Sequence, residues 1–71
     1  MNPHAQIIGR NIKQESARRG IAVNQLAEAL NIPQTTLLRW LSGERTITVY
    51  GLIRTSRILG VSLEQLTKGI Q

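Results

Sequence analysis

Apolar residues recur along the chain at intervals of three and four positions, and glycine, asparagine and proline separate the apolar stretches. This spacing places apolar side chains on one face of an α-helix. Residues 46–50 alternate as a strand would, but five residues without a second strand to pair with do not form a stable sheet. The pattern therefore predicts an all-α fold of five helices joined by short turns.

Residues that start and stop helices set the bounds of the first two predicted helices. Asn2 is an N-cap, Pro3 is favoured at the first helical position, and Gly20 stands just past the last turn. The second predicted helix covers about residues 23–30. Asn31 ends it, because asparagine tolerates the left-handed conformation that follows many helices.

The third predicted helix follows Pro33, since proline is tolerated at a helix N-terminus but not inside a helix. Leu37, Trp40 and Leu41 lie at i, i+3 and i+4, so they share one face. Gly43 ends this helix. An exposed tryptophan can serve as a stacking platform for single-stranded nucleic acid. The helical spacing instead predicts that Trp40 belongs to the core.

Capping residues define the last two predicted helices. Thr48 is the N-cap of the fourth, which Gly60 ends. Gly51 lies inside this helix and weakens it by about 1 kcal/mol relative to alanine. Ser62 and Gln65 form a capping box at the start of a short fifth helix. In such a box the hydroxyl accepts from a backbone N–H and the amide reaches back.

Composition narrows the functions open to such a bundle. The chain has 71 residues, of which 41% are hydrophobic, so we expect one folded domain over residues 1–71 and a complete small protein. It has no cysteine, one histidine and four acidic residues, which leaves too little for disulfides, a metal site or acid–base catalysis. We therefore expect no enzyme activity, no cofactor, no metal and no small-molecule ligand.

The charge points to a polyanionic partner. Nine lysines and arginines against four acidic residues give a net charge of +5 and an isoelectric point near 11.3. No stretch approaches the roughly 18 apolar residues that a membrane span needs, and no signal peptide is visible. The basic residues are spread over several helices, which disfavours binding to a membrane surface. We expect a cytoplasmic protein without a membrane partner.

Two short helices joined by a turn in a basic chain are typical of a helix-turn-helix. The helices of that motif cross steeply, so the first needs a small residue at the crossing, which Ala27 supplies. Asn31 provides the left-handed residue four positions later, and Ile32 provides the aliphatic residue that the turn buries. The second and third helices are therefore predicted to form this motif.

From Ile8 to Leu66 the sequence resembles the Cro and phage-repressor (XRE) type of helix-turn-helix regulator. The residues that carry the resemblance are Ile8, Gly9, Ile12, Gly20, Leu26, Ala27, Asn31, Ile32, Leu37, Trp40, Gly43, Leu52, the run Leu59-Gly60-Val61-Ser62-Leu63, and Leu66. The run that precedes the short last helix is a particularly specific ending. The resemblance implies a lambda-repressor-like fold and a sequence-specific regulator of transcription that binds double-stranded DNA.

The chain departs from this family at two places. The family usually begins its second helix with a hydroxyl N-cap followed by glutamine, where this chain has Ala22 and Val23. We therefore expect no side-chain cap and no phosphate contact from that glutamine. Many members pair an arginine of the first helix with a glutamate near the end of the third, where this chain has Ser16 and Leu41. Because both partners are replaced together, no buried charge is left unpaired, and packing replaces the ion pair.

The resemblance implies that the third helix, residues 34–42, lies in the major groove and that its N-terminal part contacts the bases. Its base-reading candidates are Gln34, Thr35, Leu38 and Arg39. A glutamine amide pairs with adenine, a threonine hydroxyl bonds a base edge, and an arginine fork binds O6 and N7 of guanine. We expect Arg39 to contact a base rather than a phosphate. For Leu38 the sequence leaves two alternatives, contact with a thymine methyl group or a half-buried core position.

Phosphate contacts are expected on both sides of this helix, with Arg45 as the strongest ligand. The candidates are Asn24, Gln25, Thr36, Ser42, Arg45, Thr46 and Thr48. The other basic residues are expected to supply a general field or, at the end of the first helix, to favour its dipole. The first group is Arg10, Lys13, Arg54 and Arg57, and the second is Arg18 and Arg19.

The function predicted from these features is that of a repressor, Cro-like or immunity-repressor-like, of a phage or mobile element. Such domains bind palindromic operators as two-fold dimers, and a bound dimer blocks polymerase. We expect a weak homodimer whose contacts come from the C-terminal third of the chain. The candidate contact residues are Ile47, Tyr50, Leu66 and Ile70. The alternative is a protein-binding module of the same fold, such as an antitoxin or an antirepressor.

Overall fold

Five α-helices follow one another in the computed structural model, which describes residues 3–70. They are α1 (Pro3–Arg18), α2 (Val23–Leu30), α3 (Gln34–Ser42), α4 (Val49–Leu59) and α5 (Leu63–Leu66). The predicted all-α class, with five helices in this order over the described residues, is therefore confirmed. The predicted N-cap Asn2 lies outside those residues.

The turn after α2 depends on a residue in the left-handed conformation. Asn31 has φ 58° and ψ 44°, and it is the one non-glycine residue with positive φ among residues 3–70. Its N–H donates to Glu28 O at 3.0 Å, and the Ile32 N–H donates to Ala27 O at 3.1 Å. These bonds satisfy carbonyl groups that the end of α2 would leave free, and they direct the chain into α3.

Aliphatic side chains fill the centre of the bundle. The most deeply buried of them are Ile12, Leu26, Leu37 and Leu66. Trp40 is 9% exposed and belongs to the same cluster, as its spacing predicted. Each fully buried side chain of this size contributes about 1.5–3 kcal/mol, so this cluster is the main stabilising contact between the helices.

Two glycines permit close approaches to Trp40. A Cβ at Gly9 of α1 would lie 2.6 Å from the Trp40 carbonyl oxygen, and a Cβ at Gly51 of α4 would lie 2.8 Å from Cη2 of its ring. Both distances are shorter than van der Waals contact allows. Gly51 therefore lowers the helix propensity of α4 but gives Trp40 its place in the core.

The short helix α5 is held to α1 by side-chain hydrogen bonds. Asn11 Nδ2 donates to the backbone oxygens of Leu66 and Lys68, both at 2.9 Å. Ser62 Oγ accepts from the Gln65 N–H at 3.0 Å, which is one of the two bonds of the predicted capping box, whereas the Gln65 amide donates to Glu15 of α1. A helix of four residues is not stable alone, so these bonds and the buried Leu66 stabilise it.

A buried carboxylate joins the end of α1 to α5. Glu15 is 6% exposed, and it accepts hydrogen bonds from Arg19 Nη1 at 2.6 Å, Arg18 Nη1 at 3.3 Å and Gln65 Nε2 at 3.5 Å. The bond from Arg19 is the main cause that holds the pKa of Glu15 below its usual value, although burial acts in the opposite direction. The prediction that these two arginines serve the helix dipole is therefore incomplete, because both also pair with this carboxylate.

The two positions that replace the family's ion pair are both buried. Ser16 is 9% exposed and Leu41 is 7% exposed. Ser16 Oγ donates to Ile12 O at 2.8 Å, while Leu41 belongs to the core cluster. A small apolar cavity of ≈ 200 Å³ is lined by both residues together with Ile21 and Leu26. Packing of Leu41 replaces one partner of the ion pair, as predicted, whereas Ser16 makes a local hydrogen bond and a small cavity remains beside both residues.

Arg54 ties α4 to the end of α2. Its Nη2 donates to Ala29 O at 3.0 Å, and its guanidinium carbon lies 5.8 Å from the centroid of the Tyr50 ring. Carbonyl groups at a helix C-terminus carry partial negative charge, which a cation stabilises. Arg54 therefore has local partners in addition to the general field that the sequence predicts for it.

Two residues predicted at a dimer contact lie in the core of the chain itself. Leu66 is 0% exposed and Ile47 is 8% exposed, so neither side chain offers a surface to a second copy. Their apolar character reflects packing between helices of one chain. Tyr50, by contrast, is 70% exposed, and Ile70 is half-buried. The predicted dimer surface is therefore corrected to exclude Leu66 and Ile47.

Candidate nucleic-acid interface

α2 and α3 pack against each other across a turn of three residues, 31–33. Ala27 is 3% exposed and belongs to the same core cluster as the buried residues of α3, and the half-buried Ile32 packs against that cluster. Pro33 is the N-cap of α3, with φ −61° and ψ 144°. A small buried residue in α2, a left-handed residue in the turn and an aliphatic residue packed against the core are features of the predicted helix-turn-helix, and all three are present.

One face of α3 lies in the core and the other lies in solvent. The buried residues of this helix are Leu37, Trp40 and Leu41. The exposed face carries the four predicted base-reading residues, Gln34, Thr35, Leu38 and Arg39. Leu38 is 47% exposed, which decides between its two alternatives in favour of the outward face. The four side chains thus share one surface turned away from the core.

The connector after α3 folds back onto the end of that helix. Gly43, with φ 81°, reverses the chain, and the Arg45 N–H donates to Arg39 O at 3.1 Å. The same carbonyl oxygen accepts from Ser42 Oγ at 3.1 Å. This path brings Glu44 beside the exposed face of α3, where its Oε2 lies 3.9 Å from Arg39 Nε.

Glu44 was not among the predicted site residues. Its side chain is 66% exposed and that of Arg39 is 54% exposed, so water solvates both groups. The signal in the sequence is an acidic residue directly after the glycine that ends a helix. A left-handed glycine returns the chain toward the preceding turn, so this residue comes near the last exposed side chains of the helix.

A groove of ≈ 320 Å³ connects the exposed face of α3 with the connector. It is lined by Thr36, Arg39, Trp40, Arg45, Thr46 and Thr48. Four of these residues are predicted phosphate ligands: Thr36, Arg45, Thr46 and Thr48. The predicted ligands Asn24 and Gln25 are exposed at the start of α2 and do not line this groove. The structure therefore separates the predicted phosphate ligands into four that line the groove, two at the start of α2, and Ser42 at the end of α3.

Three predicted phosphate ligands already make hydrogen bonds within the chain. Thr48 Oγ1 accepts from a backbone N–H of α4 at 2.9 Å, which confirms its predicted role as N-cap. Ser42 Oγ accepts from the Glu44 N–H at 3.3 Å while it donates to a carbonyl. Gln25 Oε1 accepts from the Ala22 N–H at 2.8 Å. Its amide nitrogen is therefore the part of Gln25 that can reach a phosphate.

The chemistry that this surface offers is hydrogen bonding and positive charge. It presents an amide, several hydroxyl groups and two guanidinium groups, which are the groups that bind base edges and phosphates. Over residues 3–70, no set of three or more histidine, cysteine or acidic side chains is arranged to hold a metal ion. Over the same residues, no helix combines the length and apolarity that crossing a bilayer requires.

A helix-turn-helix whose second helix carries a polar outward face beside a cationic groove defines a DNA-binding domain of the helix-turn-helix class. Residues 12–66 match the family model described as helix-turn-helix. The chain belongs to this family, of the Cro/C1 (XRE) type. It is a non-enzymatic, DNA-binding transcriptional regulator, and the resemblance expected from the sequence is confirmed.

Solved structures of other regulators share this fold. The clp gene regulator ClgR from C. glutamicum superposes with a TM-score of 0.86 at 18% identity over 100% of both chains. The restriction-modification controller protein C.AhdI from Aeromonas hydrophila gives a TM-score of 0.81 at 13% identity, covering 87% of this chain and 94% of its own. A transcriptional regulator from Listeria innocua gives 0.78 at 26% identity over 90% of this chain, which spans 60% of that protein. Curated protein sequences gave no significant match.

Proposed function

We propose that this chain is a repressor that binds a palindromic operator as a dimer, with α3 of each copy in the major groove. The observation that carries the proposal is the exposed face of α3, which groups four base-reading candidates beside a groove of phosphate ligands. A bound dimer covers a promoter and excludes polymerase. The resemblance supports a Cro-like or immunity-repressor-like control protein of a phage or mobile element.

Each side chain on this face of α3 matches a feature of a base edge. The Gln34 amide donates to and accepts from adenine, and the Arg39 guanidinium donates to O6 and N7 of guanine. The Thr35 hydroxyl bonds a base edge, and the exposed Leu38 contacts a thymine methyl group. A good two-pronged pair contributes about 1–3 kcal/mol of discrimination against the wrong base. These residues together supply the sequence preference.

The groove beside α3 holds the DNA backbone. A phosphate there accepts from the Arg45 guanidinium and from the hydroxyls of Thr46 and Thr48. Thr48 keeps its capping role, because a hydroxyl can accept from an N–H while it donates to a phosphate. Asn24 and the amide nitrogen of Gln25 grip the backbone on the other side. These contacts fix the register of α3 on the duplex without reading its sequence.

A dimer follows from the short half-site that one recognition helix can read. Helix-turn-helix dimers bind two half-sites about 10 base pairs apart. The pairing surface we propose is the start of α4, where Val49 and Tyr50 are 76% and 70% exposed. Tyr50 borders an apolar groove of ≈ 260 Å³ that Leu30 and Ile32 also line, and Ile70 is a second candidate. Because this patch is small, pairing is weak in solution and is completed on DNA.

Selection of preferred duplexes from a random pool tests the proposal. We expect an enriched palindrome with half-sites about one helical turn apart, bound less tightly as salt rises. Sedimentation of the chain with the selected duplex should then report two copies per duplex. Enrichment of no sequence, together with tight binding to a protein partner, would favour the antitoxin or antirepressor alternative.

A further inference from the structure

We propose that Glu44 is a specificity-determining residue that presents Arg39 to a guanine, a role that rests on the proposed DNA-binding function. Glu44 Oε2 lies 3.9 Å from Nε of Arg39, the guanidinium nitrogen nearest the aliphatic stem. A carboxylate on the Nε side of an arginine leaves Nη1 and Nη2 available as a pair. This pair is the fork that binds O6 and N7 of one guanine.

The backbone, rather than the ion pair, places Glu44 beside Arg39. The Arg45 N–H donates to Arg39 O at 3.1 Å, which fixes the connector against the last turns of α3. Gly43 makes this path possible, because its φ is 81° and a Cβ there would lie 2.8 Å from Cα of Gln6 in α1. The backbone of the connector therefore sets the point from which the carboxylate reaches Arg39.

DNA changes what this pair contributes. In the free protein the side chains are 54% and 66% exposed, and an ion pair in that setting contributes little. A duplex on α3 displaces water from the groove, and the attraction between the carboxylate and the guanidinium grows as the effective dielectric constant falls. The benefit is largest when Arg39 meets a guanine, because Nε and the terminal nitrogens are then all engaged.

The same carboxylate disfavours DNA of the wrong sequence. Without a guanine opposite it, Arg39 would gain most by turning to a phosphate, as arginines do in non-specific complexes. Glu44 attracts the guanidinium on its Nε side, and its own charge repels a phosphate that approaches this position. Glu44 therefore raises the affinity for the cognate site relative to the affinity for other duplexes.

The competing role for Glu44 is simple repulsion of the DNA backbone. Removal of the charge would then strengthen binding to every duplex by the same factor. A presenting role requires the opposite sign on the cognate duplex, where Glu44→Gln must weaken binding. The signs of the two effects therefore separate the two roles.

The first test compares Glu44→Gln with the wild type on two duplexes. One is the selected operator, and the other has the guanine read by Arg39 replaced. We expect affinity for the operator to fall about threefold to fivefold, with affinity for the altered duplex unchanged or raised. Glu64→Gln is the matched control, because it removes the same charge from α5, which packs on α1 and α4. It should leave the ratio of the affinities for the two duplexes unchanged. Equal gains on both duplexes would overturn the proposal.

The second test repeats the substitution in the absence of the arginine. In an Arg39→Ala background, Glu44→Gln should no longer weaken operator binding, and a loss that persists there would overturn the proposal. Glu44→Asp keeps the charge but shortens the reach to Nε. Its operator affinity should resemble that of Glu44→Gln, whereas wild-type affinity would show that charge alone suffices and would overturn the presenting role.

The experiments distinguish an error in the role of Glu44 from an error in the proposed DNA-binding function. A wild-type chain that selects no duplex overturns both. A wild-type chain that selects a duplex, with an unchanged ratio in Glu44→Gln, overturns the role of Glu44 alone. Thermal melting of each variant verifies folding, and the NMR signal of the Arg39 Nε–H reports whether Glu44→Gln changes its surroundings in the free protein.

Discussion

Arginine and glutamate meet in two very different settings in this chain. At the end of α1, Glu15 is 6% exposed and accepts a hydrogen bond from Arg19 at 2.6 Å. At the end of α3, the side chain of Glu44 is 66% exposed and lies 3.9 Å from Arg39. The first contact lies at the end of α1 and holds a carboxylate that also accepts from Gln65 of α5, whereas the second leaves the arginine largely in solvent. Distance and burial, rather than residue type, therefore separate a structural ion pair from a cation available to a ligand.

The two ion pairs differ in the free energy that it costs to separate their partners. A buried carboxylate needs hydrogen-bond partners, because the loss of one leaves a charge that water solvates poorly. Two exposed groups regain water on both sides when they separate, so their separation costs little. Substitutions in the first setting should therefore act on stability, and substitutions in the second should act on DNA recognition.

The largest effect is expected from Arg39→Ala, which tests the exposed setting. Loss of the guanidinium fork should remove about 1–3 kcal/mol of discrimination between the operator and other duplexes. Non-specific affinity and the melting temperature should change little, because the side chain is 54% exposed. Competition binding between operator and random duplex measures the ratio. An equal loss on both duplexes would place Arg39 among the phosphate ligands.

A smaller effect is expected from Arg45→Ala, at the other side of the same groove. Loss of one phosphate contact should weaken binding across all sequences and lower the slope of log affinity against log salt by about one. Arg57→Ala is the matched control, since it removes the same charge from an exposed position on α4 outside the groove lining. Equal slope changes in the two variants would mean that Arg45 acts through general field alone.

The parts of the fold that depend on local sequence could be predicted. The end of α2 at Asn31 and the burial of Trp40 follow from backbone preference and helical spacing, which act within a few residues. The contacts that were missed join helices that are distant in sequence. The burial of Leu66, the clearance that Gly51 gives to Trp40, and the bond from Arg54 to the end of α2 all require knowledge of which helices meet.

The candidate site also contains residues that could be predicted from local sequence and one that could not. Helical spacing predicted the outward face of α3, but it left Leu38 open, because the apolar stripe of a packed helix is wide enough to include it. Glu44 was missed because its position depends on the path of the connector after Gly43, which no helical period describes. The position of Arg39 on α3 could be predicted from helical spacing, whereas that of Glu44 depends on the turn after α3.

A pH titration of stability tests the buried setting. The pKa of Glu15 is lowered in the folded chain, mainly by the hydrogen bond from Arg19, relative to its usual value of 4.5. The stabilisation is therefore fully present above pH 4.5 and is lost as pH falls through the lowered pKa, because the unfolded chain binds more protons there. Urea unfolding at several pH values should show stability rising with pH across this window. Glu15→Gln should lower stability at neutral pH and flatten the dependence, whereas an unchanged dependence would assign the acid sensitivity to other carboxylates.

The smallest effect is expected from Glu44→Gln on stability. The exposed ion pair with Arg39 should change the free energy of unfolding by no more than about 0.5 kcal/mol, since water solvates both groups once they separate. The connector should keep its path, because the Arg45 N–H still bonds to Arg39 O. Urea unfolding at neutral pH, with Glu15→Gln measured beside it, gives the comparison. If Glu44→Gln destabilised the chain as much as Glu15→Gln, the end of α3 would depend on this ion pair for folding, and a change in DNA binding by the variant could not be assigned to the presentation of Arg39.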